Sequence, residues 1–150
     1  MPQSLAKVYI HIVFSTKNRQ PWITDEIRHR LYAYLGKVCT DQKFPLHQIG
    51  GMEDHLHLLV ELPRTITIAK IVELVKSHSS RWVKQNFSTY PDFSWQSGYG
   101  VFSVDRRTFD AAKQYIANQP EHHKKRGFQE EYLELLERAE IEYDERYLWD

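Results

Sequence analysis

The sequence predicts an α+β fold: a four-stranded antiparallel sheet with helices packed on one face and extra helices at the C-terminus. Three observations predict it. Runs of period-2 hydrophobicity alternate with runs whose apolar residues recur at three and four, their order is β-α-β-β-α-β, and no repeat, low-complexity tract or long linker interrupts them. That order is the split βαβ arrangement of ferredoxin-like and RRM-like sheets.

Each element has its own signal. In "KVYIHIVFST" (7–16), Val8, Ile10, Ile12 and Phe14 alternate with Tyr9, His11, Val13 and Ser15, as in a strand. After Pro21, Thr24 can cap a helix carrying Ile27, Leu31, Tyr34, Leu35 and Val38 and stopping near Asp41. "FPLHQIGGM" (44–52), broken at Gly50-Gly51, and "HLHLLVEL" (55–62) read as an antiparallel pair. Thr67 caps a second helix with Ile68, Ile71, Val72, Val75 and Trp82 on its inner side and a polar, basic far half. "FSWQSGYGVFSV" (93–104) reads as the fourth strand, and a third helix over 107–119 should end near Pro120, because the residue before a proline is pushed out of the α region. A last helix is expected over "QEEYLELLERA".

The 150 residues suit a single domain spanning 1–150. No run approaches the roughly 18 apolar residues of a membrane span, and the start lacks a secretory signal, so a cytoplasmic protein is expected. The lone Cys39 falls among apolar helix positions and reads as a small buried thiol. The zero net charge divides unevenly. Residues 1–127 carry 18 Lys+Arg against 11 Asp+Glu, and residues 128–150 carry 2 against 9, a basic body followed by an acidic tail. A basic body suits a polyanionic ligand. The nine tail carboxylates would repel phosphates, so the tail is expected away from DNA, with Tyr132, Leu135 and Leu136 packing it on the body or on a partner.

The chemistry centres on "EDHLHLLVEL" (53–62). Side chains two apart on a strand point the same way, so His55, His57 and Leu59 share one face. Two imidazoles on one rigid strand are half of a metal site, although a His-x-His pair also arises by chance among eight histidines. The other half can come from "QYIANQPEHH". On a helix Tyr115 and Gln119 are neighbours at i and i+4, a phenol beside an amide oxygen, and His122 and His123 are rival third ligands. Asp54 can orient an imidazole.

These residues together resemble a family. "DHLHLL" looks like the His-hydrophobic-His ("HUH") signature of the single-tyrosine transposases of the smallest bacterial insertion sequences, and "YIANQ" is similar to that family's nucleophile helix. "HIVFSTKNR", "SSRW", "WQSGYGVFSV" and "YDERYLWD" match in order, so the resemblance spans nearly the whole chain. It implies that His55, His57 and Gln119 bind a divalent metal, Mg2+ or Mn2+, and that Tyr115 is the nucleophile. It further implies single-stranded DNA hairpins as substrate and a homodimer in which the tyrosine helix of one subunit completes the histidine site of the other.

A phenol with a pKa of about 10 is only about a thousandth ionised at neutral pH, so such a tyrosine needs a cation on the phosphate. Two histidines and an amide form a neutral ligand set, which leaves the ion its full charge. No G-x-x-x-x-G-K-[ST] loop is present, in keeping with a transesterification that needs no nucleotide. Lys17, Arg19, Lys76, Arg81, Arg106 and Arg107 are candidate phosphate contacts, and Trp95 or Tyr99 candidate base-stacking rings. Three other readings compete: a chromosomal relative that processes repeated palindromes, a non-catalytic RRM-like nucleic-acid-binding module, and a small-molecule metalloenzyme.

Overall fold

A computed structural model describes residues 2–150. Four strands, β1 (Tyr9–Ser15), β2 (Leu46–Met52), β3 (His55–Glu61) and β4 (Gly100–Val104), form one sheet of order β2-β3-β1-β4 with every neighbouring pair antiparallel. The central pair is in simple register, Ser15 opposite His55 and Tyr9 opposite Glu61. Two helices, α1 (Asp25–Asp41) and α2 (Ile68–Asn86), cover one face. There Ile10, Ile12 and Phe14 of β1 and Leu56, Leu58 and Val60 of β3 meet Ile27, Leu31 and Leu35 of α1 and Ile71, Val72 and Val75 of α2 in the main core. Cys39 is buried beside them, as expected.

The opposite face of the same strands carries Tyr9, His11, Val13, His55, His57 and Leu59, all buried. It is covered by α3 (Phe109–Ala117), α4 (Gln119–His122) and α5 (Phe128–Arg138), and a short α6 (Glu145–Leu148) follows. Phe109 and Ile116 pack on Tyr9 and Leu59, and Phe128, Tyr132 and Leu136 pack on Val13. Among the described residues no helix is long and apolar enough to cross a membrane.

Two expected elements are altered for physical reasons. The run 93–104 is a strand only from Gly100, with one isolated bridge from Trp95 to Thr16 before it. Side chains take over the ladder's partners there: Gln96 Oε1 accepts from the Ser15 N–H at 2.8 Å, and the Lys76 ammonium donates to the carbonyls of Gln96 and Gly98 at 2.7 Å each. The third helix, expected to run unbroken to 119, breaks at Asn118 (φ −96°, ψ 22°) and restarts as α4 with Pro120 in its first turn. Pro120 has no N–H for the carbonyl of Ile116. That carbonyl faces β2 instead, so close to Gly50 that a Cβ there would lie 2.0 Å from its oxygen.

Candidate active site

Strand β3 delivers His55 and His57 side by side, with ring centroids 5.1 Å apart, onto the face covered by the C-terminal helices. Both are anchored from behind. Asp54 Oδ1 lies 2.7 Å from His55 Nδ1, the contact anticipated from its position before the strand. His11, from the neighbouring strand, places its Nε2 2.8 Å from His57 Nδ1. Such contacts at the rear nitrogen fix the ring and its tautomer, leaving Nε2 to face the site.

The break at Asn118 brings Gln119 inward: its Oε1 is 2.9 Å from His55 Nε2. The Tyr115 ring lies edge-on to His57 at 5.9 Å and stacks obliquely on His122 at 4.6 Å. His123 Nε2 reaches Gln119 Oε1 at 2.9 Å. Of the two rival ligands, His123 therefore points into the cluster and His122 lies on the phenol.

One participant was not expected. Glu131 of α5, completely buried, sits between these groups. Its Oε1 is 2.9 Å from His57 Nε2, 3.6 Å from His55 Nε2 and 3.4 Å from His123 Nε2, while its Oε2 accepts from Gln119 Nε2 at 2.9 Å and from the Tyr115 hydroxyl. The neutral donor set expected from sequence is thus accompanied by a carboxylate. A signal for it was present: position 131 falls at i+3 from Phe128 and i−4 from Leu135, on the helix's apolar stripe, where a charged residue is out of place.

Electrostatics follow from burial and this carboxylate. Burial holds His57 down to about 4 against the pull of Glu131, and burial with the neighbouring His57 holds His11 down to about 3. For Glu131, burial is outweighed by the hydrogen bonds from His123 and His57, so it stays ionised well below the usual carboxylate range. His123 is raised, because Glu131 outweighs its burial. Tyr115 is pushed above the ordinary phenol value by burial and by the Glu131 oxygen that its hydroxyl meets.

The donors suit a divalent cation. Ligand atoms of His55, His57 and Glu131 all lie within 4.8 Å of one another. Gln119 Oε1, 2.9 Å from His55 Nε2, adds a further donor atom beside them.

The six cations singled out in the sequence do not gather here. Lys17 and Arg19 follow the end of β1 nearest His55; Lys17 lines a pocket of about 380 Å3 with Trp95, Gln96 and Trp149, and Arg19 lies over the Trp149 ring at 5.6 Å. Lys76 is spent on loop carbonyls. Arg81 is exposed on α2, and Arg106 and Arg107 follow β4 beyond Val104, which pairs with Tyr9, the end of β1 remote from His55 and roughly 20 Å away by strand rise. Trp95 is a core ring that donates to Ser79 Oγ at 2.9 Å, whereas Tyr99 is exposed.

Comparisons with known proteins agree with one another. Residues 4–119 match the family model for IS200-like transposases. The transposases for insertion sequence element IS200 of Salmonella typhimurium and Salmonella typhi are each 28% identical over 120 residues, covering 76% of this chain and 78% of theirs. A crystal structure of a Deinococcus radiodurans R1 protein assigned as a transposase superposes with TM-score 0.65 at 26% identity, over 79% of this chain and 98% of that one. A REP-associated tyrosine transposase, solved bound to a REP hairpin, shares the fold at TM-score 0.61 and 15% identity, over 82% of this chain and 73% of its own. The chain belongs to the IS200-like transposase family.

Proposed function

We propose that this transposase acts by HUH single-tyrosine chemistry: it binds hairpin single-stranded DNA at element ends, then cuts and rejoins it through a 5′-phosphotyrosine on Tyr115. The observation that carries the reading is the convergence of His55, His57, Gln119 and Tyr115, from three separate elements, on one buried point. His55, His57 and Gln119 would hold Mg2+ or Mn2+, which when bound polarises the scissile phosphate and offsets the charge that builds up on it.

The chain's own residues do the rest. Asp54 and His11 hold the two imidazoles in orientation from behind. Tyr115 Oη forms the bond to phosphorus, the P–O3′ bond breaks, and the phenolic proton leaves on the 3′ hydroxyl. The phosphodiester energy is kept in the new ester, so a second 3′ hydroxyl can reverse the step. Hairpin recognition draws support from the relative solved with a REP hairpin. Lys17 and Arg19 are the best placed of the six candidate phosphate contacts, and the body 1–127 is the DNA-binding unit. In this chain Tyr115 already lies beside its own His57, an arrangement in cis; the family resemblance alone speaks for a homodimer exchanging tyrosine helices.

The test is covalent capture. Wild type incubated with labelled element-end hairpins in Mg2+ or Mn2+ should give a protein–DNA adduct mapping to Tyr115 by mass spectrometry, and Tyr115→Phe should bind without forming it. His55→Ala and His57→Ala should retain hairpin binding and lose nicking. An adduct on another residue, or one formed by the phenylalanine variant, removes Tyr115 as nucleophile; binding with no adduct in any metal leaves a non-catalytic module.

A further inference from the structure

In this structure the site is closed. His55, His57, Gln119 and Glu131 have no exposed surface, and Tyr115, the proposed nucleophile, spends its hydroxyl on Glu131. No phosphodiester can reach these groups while α5 lies where it does. The Glu131 carboxylate also has the outline of what is shut out. One oxygen is held among the imidazoles, 2.9 Å from His57 and 3.6 Å from His55, and the other is held by Tyr115 and Gln119. A scissile phosphate must make the same double contact, one oxygen toward the metal ligands and the reacting centre beside the tyrosine.

We propose that Glu131 is a built-in stand-in for the scissile phosphate, so that α5 is an autoinhibitory strap that must leave before DNA can enter. The proposal rests on the transposase reading above. Three further observations support it. Glu131 and the rest of α5 lie outside residues 4–119, the part that matches the family model. The strap packs on the sheet through Phe128, Tyr132 and Leu136 on Val13, with Phe102, Leu135, Leu148 and Trp149 around them, and its outward side is carboxylate-rich, as suits an element displaced by a polyanion. The same carboxylate accepts from the hydroxyl of Tyr115, so it occupies the nucleophile that a phosphate would have to meet.

The test has three arms. Glu131→Ala should nick hairpin DNA about tenfold faster than wild type, because the open form no longer has to be paid out of a minor population. The same variant, free of DNA, should bind Mn2+ about tenfold more weakly in calorimetry, since an internal ligand is gone. Tyr132→Ala/Leu136→Ala keeps Glu131 but loosens α5, and it should accelerate nicking as well. In hydrogen exchange on Tyr115→Phe, which cannot cleave, hairpin DNA should strip protection from residues 128–138. The proposal is overturned if Glu131→Ala loses nicking while keeping hairpin binding, if Mn2+ affinity does not change, or if α5 stays protected with DNA bound. A wild type that never forms an adduct overturns the transposase chemistry instead; the Mn2+ and exchange arms still read the place of Glu131.

Discussion

At Gly50 the backbone of β2 comes so near α3 that a methyl group would meet the Ile116 carbonyl carbon at 2.9 Å and its oxygen at 2.0 Å. Both partners of that clash are rigid, so no rotamer relieves it. Gly50→Ala should therefore destabilise the protein by about 1–3 kcal/mol, the usual cost of overpacking. Urea denaturation measures this, and an unchanged midpoint would show that the contact yields freely. Cys39 makes the opposite kind of prediction. Burial pushes its thiol up to about 12, so native protein should give no reaction with a disulfide reagent at pH 8, and one thiol should appear only on unfolding. The same scale explains which site residues were legible. His55 and His57 are two apart on a strand and Tyr115 and Gln119 four apart on helical pitch, and short spacings translate directly into shared faces. Glu131 contacts His57 across 74 residues of sequence, and it is one carboxylate among nine in a tail whose expected packing residues are Tyr132, Leu135 and Leu136. Only tertiary structure brings such a residue in, although its place on an apolar stripe was a readable warning.

Among the elements, strand and helix order followed from hydrophobic period, and the places where bounds moved are those where side chains substitute for backbone partners. Lys76 illustrates this. Its ammonium, a candidate phosphate contact by sequence, closes the loop 96–98 through carbonyls of Gln96 and Gly98 at 2.7 Å and Ser97 at 3.4 Å. Lys76→Met should leave those acceptors unpartnered and speed amide exchange at Gly98, whose N–H is bonded to the Asp150 carbonyl. Unaltered exchange there would mean that the loop holds itself. Helix α2 offers a simpler check, because Thr67 Oγ1 accepts from the Lys70 N–H at 3.0 Å. Thr67→Ala should cost about 1 kcal/mol in thermal or urea unfolding. Thr24 makes no such bond, so the same change there should cost less.

For the molecule as a whole, the division of charge between a basic body and an acidic tail matters more than the zero total. The tail carries nine carboxylates against two arginines and packs across the sheet face that bears the histidines. It therefore competes with DNA for the body both by position and by field. Replacing exposed tail carboxylates Glu137, Glu140, Glu142 and Glu145 with glutamine should tighten single-stranded DNA binding at low salt. It should also steepen the salt dependence, by about 0.7 in the log–log slope for each additional phosphate engaged. An unchanged slope would show that the tail's charge does not reach the DNA-binding surface.

The interlock of Gly50, Ile116 and Pro120 has a consequence for how such sequences can drift. Pro120 frees the Ile116 carbonyl, the freed carbonyl demands a glycine across from it, and the bend that results turns Gln119 toward His55. Positions 50 and 120 should then covary: a homologue that regains an N–H at 120 draws the carbonyl back into its helix and tolerates a side chain at 50. In a double-mutant cycle, Gly50→Ala should be milder in a Pro120→Ala background than alone, and strict additivity of the two changes would show that the positions evolve independently.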